Sequence, residues 1–475
     1  MDSFNRIEKA LSLATDTRVF RMGHNALSEA PEVFKSCFPG RKAMVLADCN
    51  TWPVMGEPVY RLLVAAGVQT DYYIIGLKEF HAEWRFVEMA GRLIEGRKDL
   101  ARDLEQGTDY AEGDANASFR DPSEDFSILV SAGSGVINDL CKLSSHHHGQ
   151  SYLSLPTAAS VDGYSSFGAS ISYHNSKQTF SCPAPVAIVA DIDVIAAAPK
   201  AMTAAGYADL AAKIPAAGEW LIADFVGSEP VIPAAYNVLQ DHLDGFLSRP
   251  EAVAAGDPDA VADIFEGLTL SGIAMQAARS SRPASCCDHL FSHILDMTHH
   301  RYRGKGVSHG FQVAIGTMTM CAVFDLLLKT DLSGIDVEKC VSEWPSLEQE
   351  QQRALDVFRN FPSPRLGYEQ ITLKYDPAPV VREQLVKVKK GWRELRAALE
   401  AKVYPFARMQ RLMRLAGAPS DPADIGVERS AIRDMFPLVQ LMRYRFNVLD
   451  LARRGGFYEK ITAPLFGRGG VWEIV

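Results

Sequence analysis

The chain has 475 residues, 47% of them hydrophobic, and carries a formal net charge of -9. That length predicts more than one domain and a sizeable core. The acidic balance excludes a broad nucleic-acid or anionic-membrane footprint, while a local pocket can still take an anion.

The start, MDSFNRIEKALSLATD, has early acids and no long apolar run, so no secretory signal is expected. Eight cysteines (Cys37, Cys49, Cys141, Cys182, Cys286, Cys287, Cys321 and Cys340) show no zinc-type CxxC spacing and read as reduced, mostly buried thiols of a cytosolic protein. The most apolar stretch, Phe311 to Leu328, is interrupted by Gln312, Thr317, Thr319 and Asp325. It reads as a buried helix rather than a membrane span.

In chain order, Lys42–Ala47 is a predicted strand, Met55–Ala66 a helix, Thr70–Ile75 a strand and Phe80–Arg97 a helix. The acidic, aliphatic-poor stretch Asp99–Asp125 reads as a surface insertion. Phe126–Ser131 is a strand followed by a Gly-rich turn and the helix Val136–Leu143, and Tyr152–Leu155 is a further strand. Residues 168–198 suit a hairpin or a sheet edge. Long helices are expected afterwards, at Ala201–Phe225, Pro258–Ser280, Cys287–Thr298, Gly310–Leu328, Pro379–Ala401 and Arg429–Arg453. The pattern implies a doubly wound, Rossmann-like α/β domain over 1–198 and an all-α domain over 199–475.

Three groups of residues carry chemistry. SILVSAGSGVINDLCKL puts Gly133, Ser134 and Gly135 between a strand and a helix, where bare backbone amides and the helix dipole attract phosphate. Asn138 stands where a full GxGxxG fingerprint has its third glycine, and an ordinary strand-to-helix turn fits the same residues. His146, His147 and His148 are consecutive and cannot readily converge on one ion, so they are expected in a solvated loop. In LPTAASVDGYSSFGAS, Thr157, Ser160 and Ser166 can donate to a cofactor and Asp162 can accept from a substrate hydroxyl; a plain Ser/Gly-rich loop is the other reading.

The third group is Asp209, with Lys213 one turn later, His289 and His293 on one helix face, and His309 at the start of another helix. One carboxylate and two imidazoles suit zinc or nickel with positions left for a substrate oxygen. Taken singly, each histidine also fits a surface or core role, the reading given to His24, His81, His174, His242, His299 and His300.

The order GSGVIND, PTAASVDGYSS, the Asp209 helix, DHLFSH and SHG resembles the superfamily of iron-containing alcohol dehydrogenases, glycerol dehydrogenases and dehydroquinate synthases. PTAASxDGYxS with DHLxSH is similar to the sn-glycerol-1-phosphate dehydrogenases, including their bacterial metal-dependent form, over roughly residues 20–330. The tail segments YPFARMQRLMRLAGAP and MRYRFNVLDLARRGG resemble the bacterial members less specifically.

The resemblance implies that Gly133, Ser134, Gly135, Val136 and Ile137 bind the dinucleotide pyrophosphate. It implies that Thr157, Ala158, Ser160 and Ser166 touch NAD(H) or NADP(H), and that Asp48 holds the adenine ribose. Asp162 would contact substrate, one divalent ion would sit on Asp209, His289 and His309, with Asp209 also beside substrate, and His293 would contact substrate. A homodimer acting on a small phosphorylated substrate, with no nucleic acid and no membrane span, is implied as well. Asp288 stands where Glu is usual, Phe311 where a polar residue is, and SSFGA where a proline is common, so the substrate is the open question. The implied reaction is reduction of dihydroxyacetone phosphate to sn-glycerol 1-phosphate, with His293 relaying a proton. A sibling polyol dehydrogenase, a phosphate-eliminating cyclase and a non-catalytic scaffold are the competing readings.

Overall fold

The computed structural model describes residues 3–107, 112–113, 126–174 and 176–474. It packs as two compact units, residues 1–210 with 237–280, and residues 211–236 with 281–475.

Among the described residues, the first unit is built on eight strands: β1 (Val19–Gly23), β2 (Ala43–Asp48), β3 (Thr70–Ile75), β4 (Ile128–Gly133), β5 (Leu153–Pro156), β6 (Ala169–Tyr173), β7 (Ser176–Phe180) and β8 (Ala187–Asp191). Six of them form a parallel sheet in the order β1-β8-β5-β4-β2-β3, and β6 and β7 form an antiparallel hairpin. The central strands read as nearly unbroken apolar runs because both sheet faces are covered. On β2, Met44 and Leu46 join one core with Trp84, Phe86, Leu93, Ile137 and Leu140. Val45 and Ala47 point the other way, to Phe34, Val59 and Leu63. Helices therefore flank both faces, as the strand-helix alternation predicts.

The Lys200–Ala211 and Pro258–Ala278 helices pack with this sheet unit, so its extent differs from a single boundary at residue 198. Small residues bring them in. A Cβ on Gly206 would stand 2.0 Å from the Ala159 carbonyl oxygen, and one on Gly272 would stand 2.1 Å from Ser165 Oγ. Both contacts fall on the polar loop after β5.

The second unit is helical apart from a two-residue ladder between Arg301–Tyr302 and Lys305–Gly306. Its His309–Lys329 helix is long and apolar enough to cross a membrane, but 78% of its most apolar window is buried within the protein. This is the buried helix expected of Phe311–Leu328. Gly316 lets it approach the Cys287–Met297 helix, since a Cβ there would lie 2.0 Å from the Asp288 carbonyl oxygen.

Several expectations are corrected. Asp99–Asp125 is not wholly an insertion: Lys98–Gln106 is a helix with Ala101 buried, and Glu105 accepts from Tyr73 Oη and the Gly76 amide, both at 2.7 Å. Residues 108–111 and 114–125 lie outside the described residues. PVAIVADIDVI is no edge; β8 is fully buried between β1 and β5, and the edge strand β1 gave too short an apolar signal to be read. Ala201–Phe225 is two helices, Lys200–Ala211 and Lys213–Val226, because Pro215 has no amide to continue the first ladder. Arg429–Arg453 likewise divides into Arg429–Leu441 and Val448–Arg454, the second opened by a capping box between Asn447 and Asp450. His146 and His147 end the Gly135–His147 helix, and His148 is buried, its Nδ1 2.8 Å from the Ser144 carbonyl.

Candidate functional site

In an open parallel sheet, ligands bind outside the carboxyl ends of the strands where the order reverses. Here the chain runs from β2 out to β3 and returns on the far side of β2 as β4. Asp48 ends β2 and Gly133 ends β4, each two residues past the paired Leu46 and Ser131. Gly133 also pairs with Pro156, so the turn after β4 and the loop after β5 rise from neighbouring strands.

Gly135 is the first residue of the Gly135–His147 helix, with Ser134 extended before it. No side chain caps this end, which leaves its first amides to other acceptors. Both glycines are needed for close packing. A Cβ on Gly133 would fall 2.7 Å from Ile137, and one on Gly135 would fall 3.2 Å from Val161 Cγ2. Ile137 is thus a buried wall behind the turn rather than a group reaching across it.

Asp48 Oδ1 accepts from the amides of Asn50 and Thr51 at 2.8 and 2.9 Å, which ties its carboxylate to its own turn. In the loop after β5, Thr157, Ala158, Ser160 and Ser166 are buried. Ser160 Oγ lies 3.3 Å from Tyr164 Oη, and Ser166 Oγ donates to the Gly163 carbonyl at 3.4 Å. Asp162 Oδ2 accepts from Ser271 Oγ at 2.9 Å, and the Asp162 amide donates to Asp209 Oδ2 at 3.0 Å. Asp162 and Asp209, 47 residues apart in sequence, are therefore direct neighbours, and Asp209 is only 1% exposed.

The loop is held from below by two residues to which sequence reading gave no such role, Lys142 and the Asn138 noted in place of a third glycine. Lys142, 1% exposed, donates from Nζ to the carbonyls of Gly163, Ser166 and Gly168 at 2.7, 2.9 and 3.0 Å. Asn138 Nδ2 donates to the Gly163 carbonyl at 3.1 Å, while its Oδ1 accepts from Tyr152 Oη and Ser154 Oγ. Both lie on the helix that Gly135 begins, so one rigid element sets the turn and the loop together. The available signal was helical spacing: positions 138 and 142 are one turn apart on one face.

In the second unit, His289 and His309 come together with ring centroids 5.3 Å apart. The hydrogen-bond network assigns both tautomers. His289 Nδ1 is bonded to Asp288 Oδ2, a fully buried carboxylate whose Oδ1 takes the Cys286 amide at 3.1 Å. A carboxylate accepts, so the proton is on Nδ1. Gln312 Nε2 donates to the Val307 carbonyl at 3.3 Å, which turns its Oε1 towards Ser292. Ser292 Oγ gives its single hydrogen to that Oε1 at 2.7 Å, so His309 Nδ1, 3.0 Å away, must donate to Ser292. Each ring thus carries its lone pair on Nε2, the form that a metal ligand requires. Aspartate shortens the reach by one methylene relative to glutamate at position 288, yet still meets the ring.

His293, one turn on, is half-buried and sits in a different setting. Arg443 Nη2 lies 3.2 Å from its Nε2 and can only donate, which puts the His293 proton on Nδ1. The sequence drew attention to MRYRF but gave Arg443 no role. Beneath this helix, Glu219 Oε2 accepts from Cys286 Sγ at 2.9 Å and from the Val448 amide at 3.2 Å, and Arg282 reaches Cys286 Sγ at 3.2 Å. Burial opposes ionising Cys286, but the bond from Cys287 and the charge of Arg282 outweigh it and hold the thiol below its ordinary pKa. Arg282 closes the remaining side of this cluster, which anchors the start of the Cys287–Met297 helix.

A family model described as iron-containing alcohol dehydrogenase matches residues 21–199. The glycerol-1-phosphate dehydrogenase (NAD(P)+) of Pyrococcus furiosus is 37% identical over 301 residues, which is 63% of this chain and 76% of its own length. This chain belongs to the iron-containing alcohol dehydrogenase family. Within that family, the curated relatives it resembles are glycerol-1-phosphate dehydrogenases, among them that of Bacillus licheniformis, 33% identical over 46% of this chain and 54% of its own. The match thus spans about half the length of the Bacillus relative. Among solved structures, a probable glycerol dehydrogenase from Sinorhizobium meliloti 1021 superposes with a TM-score of 0.54 at 16% identity, covering 94% of this chain and 97% of its own. That likeness concerns the fold alone.

Proposed function

We propose that the protein is a cytosolic, metal-dependent NAD(P)H oxidoreductase that reduces dihydroxyacetone phosphate to sn-glycerol 1-phosphate. The observation that carries this reading is the pair of imidazoles, each locked by its own partner with Nε2 as the coordinating atom. The names of the sequence relatives, glycerol-1-phosphate dehydrogenase (NAD(P)+), supply the substrate and the dinucleotide.

In this reading His289, His309 and the buried Asp209 hold one divalent ion, zinc or nickel. A carboxylate and two neutral imidazoles fit such an ion and leave positions for a substrate oxygen. When bound there, the ion supplies Lewis-acid polarisation of the carbonyl. NAD(P)H supplies the hydride, and the protein's part is to hold the two reactants in register. The amides of Gly133 to Ile137 take the pyrophosphate, and Thr157, Ala158, Ser160 and Ser166 line the cofactor. Asp162, oriented by Ser271, accepts from a substrate hydroxyl. His293, with Nε2 engaged by Arg443, donates a hydrogen bond from Nδ1 to the developing alkoxide, and solvent water supplies the proton that the alkoxide takes up. The working form is a homodimer.

Two outcomes follow for the cofactor. Gly135→Val puts a branched side chain against Val161 and over the first amides of the helix, so NADH affinity falls by tenfold or more with metal content unchanged. Fluorescence titration with NADH checks this, and unaltered affinity would remove the turn from the cofactor site. Asp48, accepting from ribose hydroxyls and repelling a 2′-phosphate, makes the wild-type enzyme prefer NADH to NADPH. Comparing kcat/KM for the two reductants tests it, and a strong NADPH preference contradicts the role. The reading as a whole is tested by assaying NADH and NADPH oxidation with dihydroxyacetone phosphate across added metals.

A further inference from the structure

Arg443 and Arg445 lie in the short connection between the Arg429–Leu441 and Val448–Arg454 helices, in the second unit. The bonds of the Arg443 guanidinium go to neutral groups: Ser281 Oγ at 3.4 Å and His293 Nε2 at 3.2 Å. Arg445 Nη1 is buried and has no hydrogen-bond partner among the described residues. Neither guanidinium forms an ion pair among the described residues. Two other buried cations of this unit are matched: Lys374 pairs with Asp450 at 2.9 Å and Arg454 with Asp376 at 2.6 Å. Two neighbouring arginines without an ion-pair contact are costly: burial together with the charge of Arg445 lowers the Arg443 pKa to about 10, against the opposing pull of the more distant Cys286 and Asp288. An arrangement that repels itself when empty is stabilised by an incoming anion. The planar forks of two guanidinium groups match phosphate oxygens.

We infer that Arg443, backed by Arg445, is the binding site for the phosphate group of the substrate, placed beside His293 so that a phosphorylated ketone is recognised at one end while its carbonyl is worked on at the other. This rests on the proposed reaction for the substrate's identity, while the anion site stands on the two arginines alone. It accounts for recognition of a phosphorylated substrate by an acidic chain.

The test uses the full-length, metal-loaded protein with Arg443→Gln, Arg443→Lys, Arg445→Gln and, as a control, Arg433→Gln, whose exposed side chain pairs with Asp434. Two readouts are taken: calorimetric binding of inorganic phosphate, and the ratio of kcat/KM for dihydroxyacetone phosphate to that for dihydroxyacetone. Arg443→Gln is expected to lower the ratio by about 100-fold, mainly through KM, with Arg443→Lys recovering part of it. Arg445→Gln is expected to lower phosphate affinity several-fold, and Arg433→Gln to change neither readout. An unchanged ratio and unchanged phosphate affinity in Arg443→Gln would overturn the inference. If the wild-type protein reduces neither ketone, the proposed reaction fails, and calorimetry still decides the anion site. If Arg443→Gln does not fold, phenylglyoxal labelling of the wild type decides: Arg443 protected by inorganic phosphate but not by chloride of equal ionic strength supports the site, and equal labelling overturns it.

Discussion

His289→Ala and His309→Ala lose bound metal and activity together, whereas His293→Ala keeps its metal and loses turnover by about 10²–10⁴-fold. The expected difference comes from the partners of the three rings. His289 is fixed by a fully buried carboxylate and His309 by the Ser292–Gln312 relay, and both arrangements leave Nε2 to coordinate. His293 has its Nε2 occupied by Arg443, a cation that would oppose a second positive charge at that nitrogen. A fourth imidazole on the ion would also take the position a substrate oxygen needs. Metal analysis of the three purified variants separates the roles. A metal-free His293→Ala beside a metal-loaded His289→Ala would reverse the assignment.

Lys142→Met is expected to be the most damaging single change in the first unit. The substitution keeps most of the side-chain volume and removes the ammonium that serves three carbonyls of the Asp162 loop. The Gly163 carbonyl keeps Asn138 and Ser166 as donors, so the carbonyls of Ser166 and Gly168 lose theirs; at about 1–3 kcal/mol for each buried acceptor, a loss of about 2–6 kcal/mol follows. The consequence for function is larger than for fold. Gly163, Ser166 and Gly168 belong to the loop that carries Thr157, Ser160 and Asp162, and releasing it should weaken NADH binding by at least tenfold. Urea denaturation and NADH titration on the same preparation measure both effects. An unchanged midpoint with unchanged affinity would show that Asn138 alone holds the loop.

What the sequence made legible follows from the range over which each signal acts. The β2, β3, β4 and β5 strands were readable because each is an apolar run bounded by turn residues. β8 was assigned to an edge because neighbours distant in sequence decide whether a strand is interior: Ile188 pairs with Phe20 of β1, 168 positions away, and Ala187 with Leu153 of β5, 34 positions away. The helix break at Ala212 turned on one missing amide, at Pro215, inside an otherwise helical pattern. Among the candidate residues, types with strong chemistry stood out: Asp162, Asp209, His289, His293 and His309. Their supports did not. Lys142, Asn138, Ser271, Ser292, Gln312 and Arg443 are ordinary residues on helices or in a loop, and only the fold reveals that they aim at loop carbonyls, a carboxylate or an imidazole. Asp288 was visible as a departure from glutamate, but its bond to His289 was not.

The most direct measurement is the product of the full-length protein incubated with dihydroxyacetone phosphate and NADH, with zinc or nickel added to a chelator-treated sample. Metal-dependent oxidation of NADH in equal amount to sn-glycerol 1-phosphate formed is the predicted result. Release of inorganic phosphate without net consumption of NADH would contradict it and place the chain with the phosphate-eliminating cyclases.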